Sequence, residues 1–417
     1  MKPVRPYRAP LVLAALTFFA EGAGTQAMGL ALPGILRAWS VPRQALSVAI
    51  ALGLVGFAAG AVVGGLAADR LGRRTALLLS LLCLGLCTLT CALAHDPLQL
   101  GIVRTFAGFA LGASLPVAAT VMAESAPATV RSLAMAVGLA FLPLGGFAAG
   151  LAASIILPLW GWRAVFVATG AVGLAAAVIG VLLLRPEGRP TSLATGSAAL
   201  APRGRLRDIQ DLLRAGRRRD TLGLWGAFFC VVLLYYSMFS WAPTAFASVG
   251  LTLAQASRAL SAFALGGLMG GLIAGGLVQR WGSRSTLWLL CIGALASASV
   301  LPRLAVTAPA NAGLLQLAVA TLGATVTGVQ TLLFALGPQI YERAERGSGL
   351  GLAVGVGRIG AVVSSFTAVA ALDVGGVTGF FGSLALAIVL ALVSGLIVRS
   401  HVPGTAGTQV AAQRERI

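Results

Sequence analysis

Long apolar runs alternate with short polar segments along almost the whole chain. The runs lie at roughly 11–34, 45–68, 75–94, 98–122, 132–157 and 163–184, and then at 222–246, 257–279, 285–305, 313–338, 348–372 and 376–398. Each run has about the 20 residues that an α-helix needs to cross the hydrocarbon core of a bilayer. The pattern therefore predicts an all-α integral membrane protein with twelve transmembrane helices.

A polar stretch divides the twelve runs into two groups of six. The predicted parts are an N-terminal six-helix half, a cytoplasmic linker, a C-terminal six-helix half and a cytoplasmic tail, at 1–184, 185–220, 221–400 and 401–417. The sequence GLAADRLGRR at 65–74 aligns with GGLVQRWGSR at 275–284. Two six-helix halves with internal repeats are typical of secondary transporters.

Glycines recur at intervals of four just before each of the two aligned segments. The first ladder and the second ladder are Gly56, Gly60 and Gly64, and Gly267, Gly271 and Gly275. An interval of four keeps each ladder on one helix face, where the lack of a side chain lets another helix approach closely. Each ladder therefore predicts a close helix–helix contact.

The composition excludes a soluble enzyme. Of the 417 residues, 58% are hydrophobic and 10% are charged, and the mean hydropathy is +0.92. A globular protein of this length cannot hide so much apolar surface from water. The 54 glycines fit membrane helices, in which glycine is more frequent than in soluble ones.

The net charge of +18 is explained by topology. With both termini inside the cell, 23 of the 30 basic residues lie in cytoplasmic segments and five lie in external loops. Basic residues hold cytoplasmic loops inside, so the asymmetry predicts a multi-pass protein of a bacterial inner membrane with cytoplasmic termini. A nucleic-acid partner is not needed to explain the charge.

The remaining chemistry is sparse. Five cysteines lie within apolar runs, which indicates packing roles, and the two histidines are far apart, at His95 and His401. No nucleotide-binding loop and no Ser-His-Asp set is present in the sequence. We therefore expect no metal, no cofactor and no enzymatic activity, and we expect a monomer.

A cluster of charges interrupts the apolar pattern at 69–74. It contains Asp69, Arg70, Gly72, Arg73 and Arg74. Gly72 permits a tight turn between the second and third helices, and the arginines can pair with Asp69 and meet helix C-terminal carbonyls. Such a cluster at the cytoplasmic rim suits a latch that holds one conformation shut. Matching charges lie at the ends of later helices, at Glu124, Arg131 and Arg346.

The 65–74 motif resembles the signature of the loop between helices two and three of the major facilitator superfamily. The segment FFAEGAGTQAMGLALP at 18–33 and the segment from Arg104 to Arg131 are similar to the aromatic acid:proton symporter family. That resemblance implies alternating access and proton-coupled import of an aromatic or related carboxylic acid. It also implies that the loop stabilises the outward-open state. The family usually shows D-G-x-D in the first helix, whereas this chain has Glu21-Gly22-Ala23-Gly24.

Ionisable side chains deep in predicted membrane helices indicate function, because they are costly there. Glu21 is the expected proton carrier, since burial raises the pKa of a carboxyl group. Arg104 and Arg358 are candidates for the substrate carboxylate, with a helix-to-helix brace as the alternative for each. Tyr236 lies on an aromatic face of the seventh run that can stack a substrate ring, and Gln330 can add hydrogen bonds. The alternative for that face is lipid contact, with an interfacial belt near Trp241.

Two other transport modes stay open. PLGG at 143–146 partly matches an antiporter signature, so a proton-coupled exporter of drugs or metabolites is one alternative. An uncoupled facilitator is the other, because the second acid of the first helix is missing. The expected partners in each case are a small organic anion, protons where coupling exists, and the lipid bilayer.

Overall fold

The computed structural model describes residues 8–127, 129–183, 217–342 and 345–404. Those residues form ten α-helices, α1 to α10 in chain order: Arg8–Trp39, Arg43–Leu71, Arg73–Cys91, Pro97–Ser125, Arg131–Leu183, Arg218–Ser248, Leu253–Trp281, Ser283–Val306, Ala308–Ile340 and Arg346–Ile397. All ten are long and apolar enough to cross a membrane. Large apolar side chains such as Leu182 and Val374 are 78% and 92% exposed, as expected of a surface solvated by lipid. The prediction of an all-α membrane protein is confirmed.

Two of the ten helices are more than twice the length that one membrane crossing requires. The 53 residues of α5 contain Gly161 with φ 73° and ψ −173°, and the 52 residues of α10 contain Gly376 with φ 56° and ψ −144°. Gly161 lies between the fifth and sixth predicted runs, and Gly376 is the first residue of the twelfth. The helical backbone is therefore interrupted at one residue in each of these two elements, so the described part of the chain has ten elements where the sequence predicts twelve helices.

The chain forms two compact units. The first contains α1 to α5 together with Phe239–Ala247 and Thr252–Ser261, and the second contains the rest of α6 and α7 with α8 to α10. In the first unit α1 packs on α5, and α2 packs on α4. In the second unit α8 packs on both α9 and α10. The predicted linker and tail lie almost entirely outside the described residues.

The first glycine ladder makes the predicted contact. A Cβ added to Gly56 would stand 2.1 Å from the carbonyl oxygen of Thr105, and one added to Gly60 would stand 2.0 Å from that of Phe109. A Cβ on Gly64 would stand 2.5 Å from the Cα of Ala113. No side chain fits at such distances, so α2 lies directly on the backbone of α4. The prediction for this ladder is confirmed.

In the second unit the contact falls one residue earlier than predicted. A Cβ added to Gly266 would stand 1.9 Å from the carbonyl oxygen of Ala320, and one added to Gly270 would stand 2.0 Å from that of Ala324. These glycines lie on α7, and the two alanines lie on α9. Gly266 follows Gly56, and Gly270 follows Gly60, by the same number of residues that separates the two aligned charge motifs.

The predicted second ladder was therefore wrong in register. At Gly267 and Gly271 the closest described atoms to an added Cβ are the hydroxyl oxygens of Thr327 and Thr331, at 2.7 Å and 3.5 Å. At Gly275 no atom of the described chain lies within 4 Å. Paired glycines at 266–267 and 270–271 offer two adjacent helix faces, and the rotation of α7 selects one of them for the backbone contact.

Candidate functional site

The charged motif between α2 and α3 folds as a one-residue turn. Gly72 has φ 82° and ψ 146°, and α3 begins at the next residue, Arg73. A positive φ of this kind is accessible to glycine because it has no Cβ. Gly282, the equivalent of Gly72 in the aligned motif, separates α7 from α8 with φ 80° and ψ 164°. The two aligned motifs thus form the same turn.

One ion pair joins two of the predicted latch residues. Arg73 Nη2 lies 2.8 Å from Glu124 Oε1, which links the first residue of α3 to the last turn of α4. Asp69 and Arg70 lie in the last turn of α2, and Arg131 is the first residue of α5. Arg70 and Arg131 are exposed. An exposed ion pair contributes only about 0–1 kcal/mol to stability. Its importance for function therefore depends on whether it is present in one conformation and absent in another.

A second cluster of opposite charges lies in the second unit. Arg217, just before α6, donates hydrogen bonds to the carboxylates of Glu342 and Glu345, which lie between the end of α9 and the start of α10. The hydrogen bond to Glu342 and the charges of both glutamates raise the pKa of Arg217 above its ordinary value. The sequence pattern does not single out Arg217, because it is one of many arginines in the linker and only the fold places it beside two acids.

Arg346 donates hydrogen bonds to backbone carbonyls at a helix end. Its Nε donates to the carbonyl oxygen of Tyr341 over 3.1 Å, and its Nη2 donates to that of Pro338 over 2.9 Å. Carbonyls at the end of a helix lack intrahelical donors, and a cation there interacts favourably with the helix dipole. Arg346 therefore stabilises the end of α9.

The structure brings together two of the predicted substrate residues. Arg358 Nη1 donates a hydrogen bond of 2.8 Å to the phenolic oxygen of Tyr236. Arg358 lies on α10 and Tyr236 lies on α6, and both belong to the second unit. Tyr236 is 8% exposed, and Arg358 is partly buried. A guanidinium beside an aromatic ring can bind the carboxylate of a ligand while the ring contacts its apolar part.

Arg104 is buried within the first unit. It is 8% exposed, and a Cβ on Gly53 of α2 would stand 3.6 Å from its Nε. Its Nε and Nη1 atoms have no hydrogen-bond partner in the described part of the chain. A buried cation with free donors is costly unless an anion or a polar group meets it. The placement of Arg104 therefore suits the binding of a carboxylate.

The other predicted site residues are also placed within helices. Glu21 is 2% exposed on α1, so its carboxyl group is removed from solvent. Gln330 is half-buried on α9. Trp241 is 0% exposed, so the alternative of a lipid-facing belt at this tryptophan is wrong.

A polar site near the C-terminus was missed by sequence analysis. Residues 398–404, which we call the strap, follow α10 and bind the start of α6. The carboxylate of Asp220 accepts hydrogen bonds from the backbone N–H of Arg399 over 2.9 Å and from the hydroxyl of Ser400 over 2.8 Å. Asp220 is the one acidic residue in the first turn of α6. Its partners lie at the opposite end of the second unit's sequence, so no local pattern indicates them.

The strap also binds the turn between α7 and α8. Ser283 and Val402 are joined by a backbone hydrogen bond of 3.0 Å, and the Val402 N–H donates to Ser283 Oγ over 2.8 Å. His401 Nδ1 lies 2.9 Å from the same hydroxyl oxygen. Burial and the positive charge of Arg284 lower the pKa of His401 below its ordinary value. The imidazole is therefore neutral in the folded protein near pH 7.

Buried ionisable side chains on long apolar helices indicate an integral membrane protein with a functional polar interior. The sequence model of the Major Facilitator Superfamily matches residues 14–365. The chain therefore belongs to the major facilitator superfamily, and it is a multi-pass membrane protein of that family.

Individual relatives and solved structures agree with this assignment. The chain is 29% identical to a gallate transporter of Pseudomonas putida, over 90% of this chain and 88% of the relative. It is 32% identical to a 3-(3-hydroxy-phenyl)propionate transporter of Escherichia coli (strain K12), over 91% of this chain and 90% of the relative. The fold is similar to that of a D-xylose–proton symporter, with a TM-score of 0.73, 17% identity, and coverage of 95% of this chain and 98% of the other.

Proposed function

We propose that this protein imports an aromatic or related carboxylic acid together with a proton, by alternating access. The observation that carries the proposal is the contact of Arg358 with Tyr236, which places a cation and an aromatic ring together on two membrane helices. The names of the two relatives support it, because gallate and 3-(3-hydroxyphenyl)propionate are both aromatic carboxylates. A substrate of this kind has a carboxylate for Arg358 and an aromatic ring for Tyr236.

Substrate binding is assigned to four residues. The guanidinium of Arg358 forms two parallel hydrogen bonds with the carboxylate, which its planar fork matches, and Tyr236 contacts the ring. Arg104 is the alternative partner for the carboxylate, supported by its buried Nε and Nη1 donors, which have no partner in the described part of the chain. Gln330 contributes hydrogen bonds to polar substituents.

Proton coupling is assigned to Glu21. A carboxyl group at membrane depth is costly when charged and is a site of function by default. Protonated Glu21 accompanies the loaded transporter, and deprotonation on the cytoplasmic side releases the proton. One proton moving with one monoanion transfers no net charge, so accumulation follows the pH gradient and gains about 1.4 kcal/mol per pH unit.

The architecture proposed for this function has twelve membrane crossings in two repeated halves. The single-residue turns at Gly161 and Gly376 support it, since each divides a long helix into two parts that are each long enough to span a bilayer. The matching positive-φ turns at Gly72 and Gly282, in the two aligned motifs, support the repeat. The proposed parts are the halves 1–184 and 221–400, the linker 185–220 and the tail 401–417.

Gating is assigned to the charged turns. Only an interaction that differs between conformations can shift the equilibrium between them. The Arg73–Glu124 pair supports such a role, because it links two helices at the turn that carries the motif. The proposed gating residues are Asp69, Arg70, Gly72, Arg73, Arg74, Glu124, Arg131 and Arg346.

The protein is proposed to lie in a bacterial inner membrane as a monomer, with both termini and the linker in the cytoplasm. The distribution of basic residues supports this orientation. In intact cells, Ser192→Cys in the linker should resist labelling by an impermeant thiol reagent and should label after permeabilisation. The matched background is a chain without its five native cysteines. Ready labelling from outside would contradict the orientation.

Uptake into proteoliposomes tests the function. Labelled 4-hydroxybenzoate should accumulate when an inward proton gradient is imposed and should stop accumulating when a protonophore is added. Accumulation driven by an outward gradient would instead identify an exporter. Equilibration without accumulation would identify an uncoupled facilitator.

A further inference from the structure

Gln26 is a buried polar side chain that the residues assigned above do not include. It lies on α1, is 1% exposed, and belongs to the first unit. Its Oε1 atom has no hydrogen-bond partner in the described part of the chain. Buried polar atoms in proteins are almost always hydrogen-bonded, so an exception calls for an explanation. In a membrane helix the explanation is more often functional, because polar groups there are costly.

The surroundings of Gln26 hold its amide in a defined place. Backbone contacts join α1 to α5 nearby: a Cβ on Gly22 would stand 1.8 Å from the carbonyl oxygen of Leu142, and a Cβ on Gly145 would stand 2.0 Å from that of Phe19. A Cβ on Gly146 would stand only 2.3 Å from Gln26 Nε2. The absence of that Cβ leaves the space that the amide occupies.

The chemistry of an amide matches one kind of substituent well. The amide offers an acceptor oxygen and two N–H donors. A phenolic hydroxyl is both a donor and an acceptor, so it pairs with an amide in either orientation. A carboxylate only accepts hydrogen bonds, so it would leave the acceptor Oε1 of Gln26 without a donor. Gln26 also lies five residues beyond Glu21, which is about 7.5 Å further along α1 at about 1.5 Å per residue, so it lies on the helix that carries the proposed proton site.

We infer that Gln26 is a specificity-determining residue, whose amide hydrogen-bonds a ring hydroxyl of the substrate and so selects hydroxylated aromatic acids over unsubstituted ones. This inference rests on the proposed function. A site built to hydrogen-bond a hydroxyl group discriminates strongly against an analogue that lacks it, because the polar group of the protein is then left unpaired. In the structure without substrate, the Oε1 atom of Gln26 is such an unpaired polar group within the described part of the chain.

The test compares two substrates in three proteins. Initial uptake of labelled 4-hydroxybenzoate and of labelled benzoate is measured in proteoliposomes for the wild type, Gln26→Met and Thr244→Val. Met keeps the length of the side chain and removes its hydrogen-bonding groups. Thr244 is the matched control, since its Oγ1 is also buried in the first unit without a partner in the described part of the chain, and valine has nearly the same shape.

The expected result is a change in the ratio of the two substrates. Gln26→Met should lower kcat/KM for 4-hydroxybenzoate by about tenfold or more, while kcat/KM for benzoate stays within about threefold of the wild type. Thr244→Val should leave the ratio unchanged. Gln26→Asn, which retains a shorter amide, should keep part of the preference.

Other outcomes overturn the inference. Equal losses for both substrates in Gln26→Met would make Gln26 a brace between helices, and an unchanged ratio would remove it from recognition. If Gln26→Met does not assemble, the ratio for Gln26→Asn decides between the same outcomes. Wild-type protein that takes up neither acid would contradict the proposed function itself, which is a result distinct from a lost preference.

Discussion

Arg358 and Tyr236, far apart in sequence, are joined by a hydrogen bond of 2.8 Å between a guanidinium nitrogen and a phenolic oxygen. The bond orients the guanidinium within the second unit, so that the arginine does not have to be ordered by the substrate alone. Preorganisation of this kind reduces the entropic cost of binding. Because Arg358 is proposed to bind the carboxylate and Tyr236 the ring, variants of the two residues test the recognition of these two parts separately.

Arg358→Lys should be more damaging than Tyr236→Phe. Lysine keeps the charge and loses the planar fork, so we expect uptake of 4-hydroxybenzoate to fall by about tenfold or more. Phenylalanine keeps the ring and the guanidinium and loses only the hydrogen bond that orients Arg358, so we expect uptake to fall by less than in Arg358→Lys. Uptake kinetics in proteoliposomes measure both. Full activity of Arg358→Lys would remove bidentate recognition by this residue.

Glu21→Gln should abolish proton-driven accumulation and leave exchange of substrate measurable. Glutamine mimics the protonated carboxyl group, and exchange across the membrane does not require deprotonation. The measurement is uptake with an imposed inward proton gradient, beside counterflow at equal pH on both sides. If the variant still accumulates substrate against its gradient, Glu21 is structural and the proton follows another route.

The Arg73–Glu124 pair should affect the rate of transport more than the affinity for substrate. Charge reversal in Arg73→Glu or in Glu124→Arg is expected to slow uptake several-fold. The pair lies outside the proposed binding site, so its loss changes the equilibrium between conformations and not the contacts with the substrate. Affinity should stay nearly unchanged. The double variant with the charges exchanged should recover much of the rate. Failure to recover would show that the two side chains act independently of each other.

Low pH should loosen the strap through His401. Its pKa lies below the ordinary value of 6.5 because of burial and of Arg284, while Asp220 acts in the opposite direction. Above about pH 6.5 both the attached and the detached histidine are neutral. As the pH falls further, the detached form gains a proton more readily than the attached one, so attachment of the strap loses stability. The protection of the amides at 398–404, which compares their exchange rate with that of an unstructured chain at the same pH, should therefore fall between about pH 7 and about pH 5.

The two histidines of the chain provide the control for this prediction. His401→Gln should flatten the pH dependence of protection in the strap, since glutamine does not titrate in this range. His95 is exposed, and His95→Gln should leave the pH dependence of protection as it is in the wild type. The same loss of protection in His401→Gln would assign the effect to another group.

The sequence by itself determined that the helices lie in lipid, that the fold is all-α, and that several local contacts form. Apolar runs of membrane-spanning length have one stable arrangement in lipid, because a helix satisfies its own backbone hydrogen bonds. The contact of Gly56 and Gly60 with α4 followed from an interval of four. The turn at Gly72 followed from a glycine placed among charges. In each case the physical cause lies within a few residues of the feature that it explains.

The tertiary structure decided what depends on helix rotation and on distant partners. The spacing of the paired glycines could not distinguish Gly266 from Gly267, because only the rotation of α7 selects the face that meets α9. Gln26 carries no charge, so it gave no signal in an apolar run until its burial was known. The bonds of Asp220 and Ser283 to the strap join residues that are far apart in the chain. Such contacts depend on where helices end in space, which no local pattern of residues specifies.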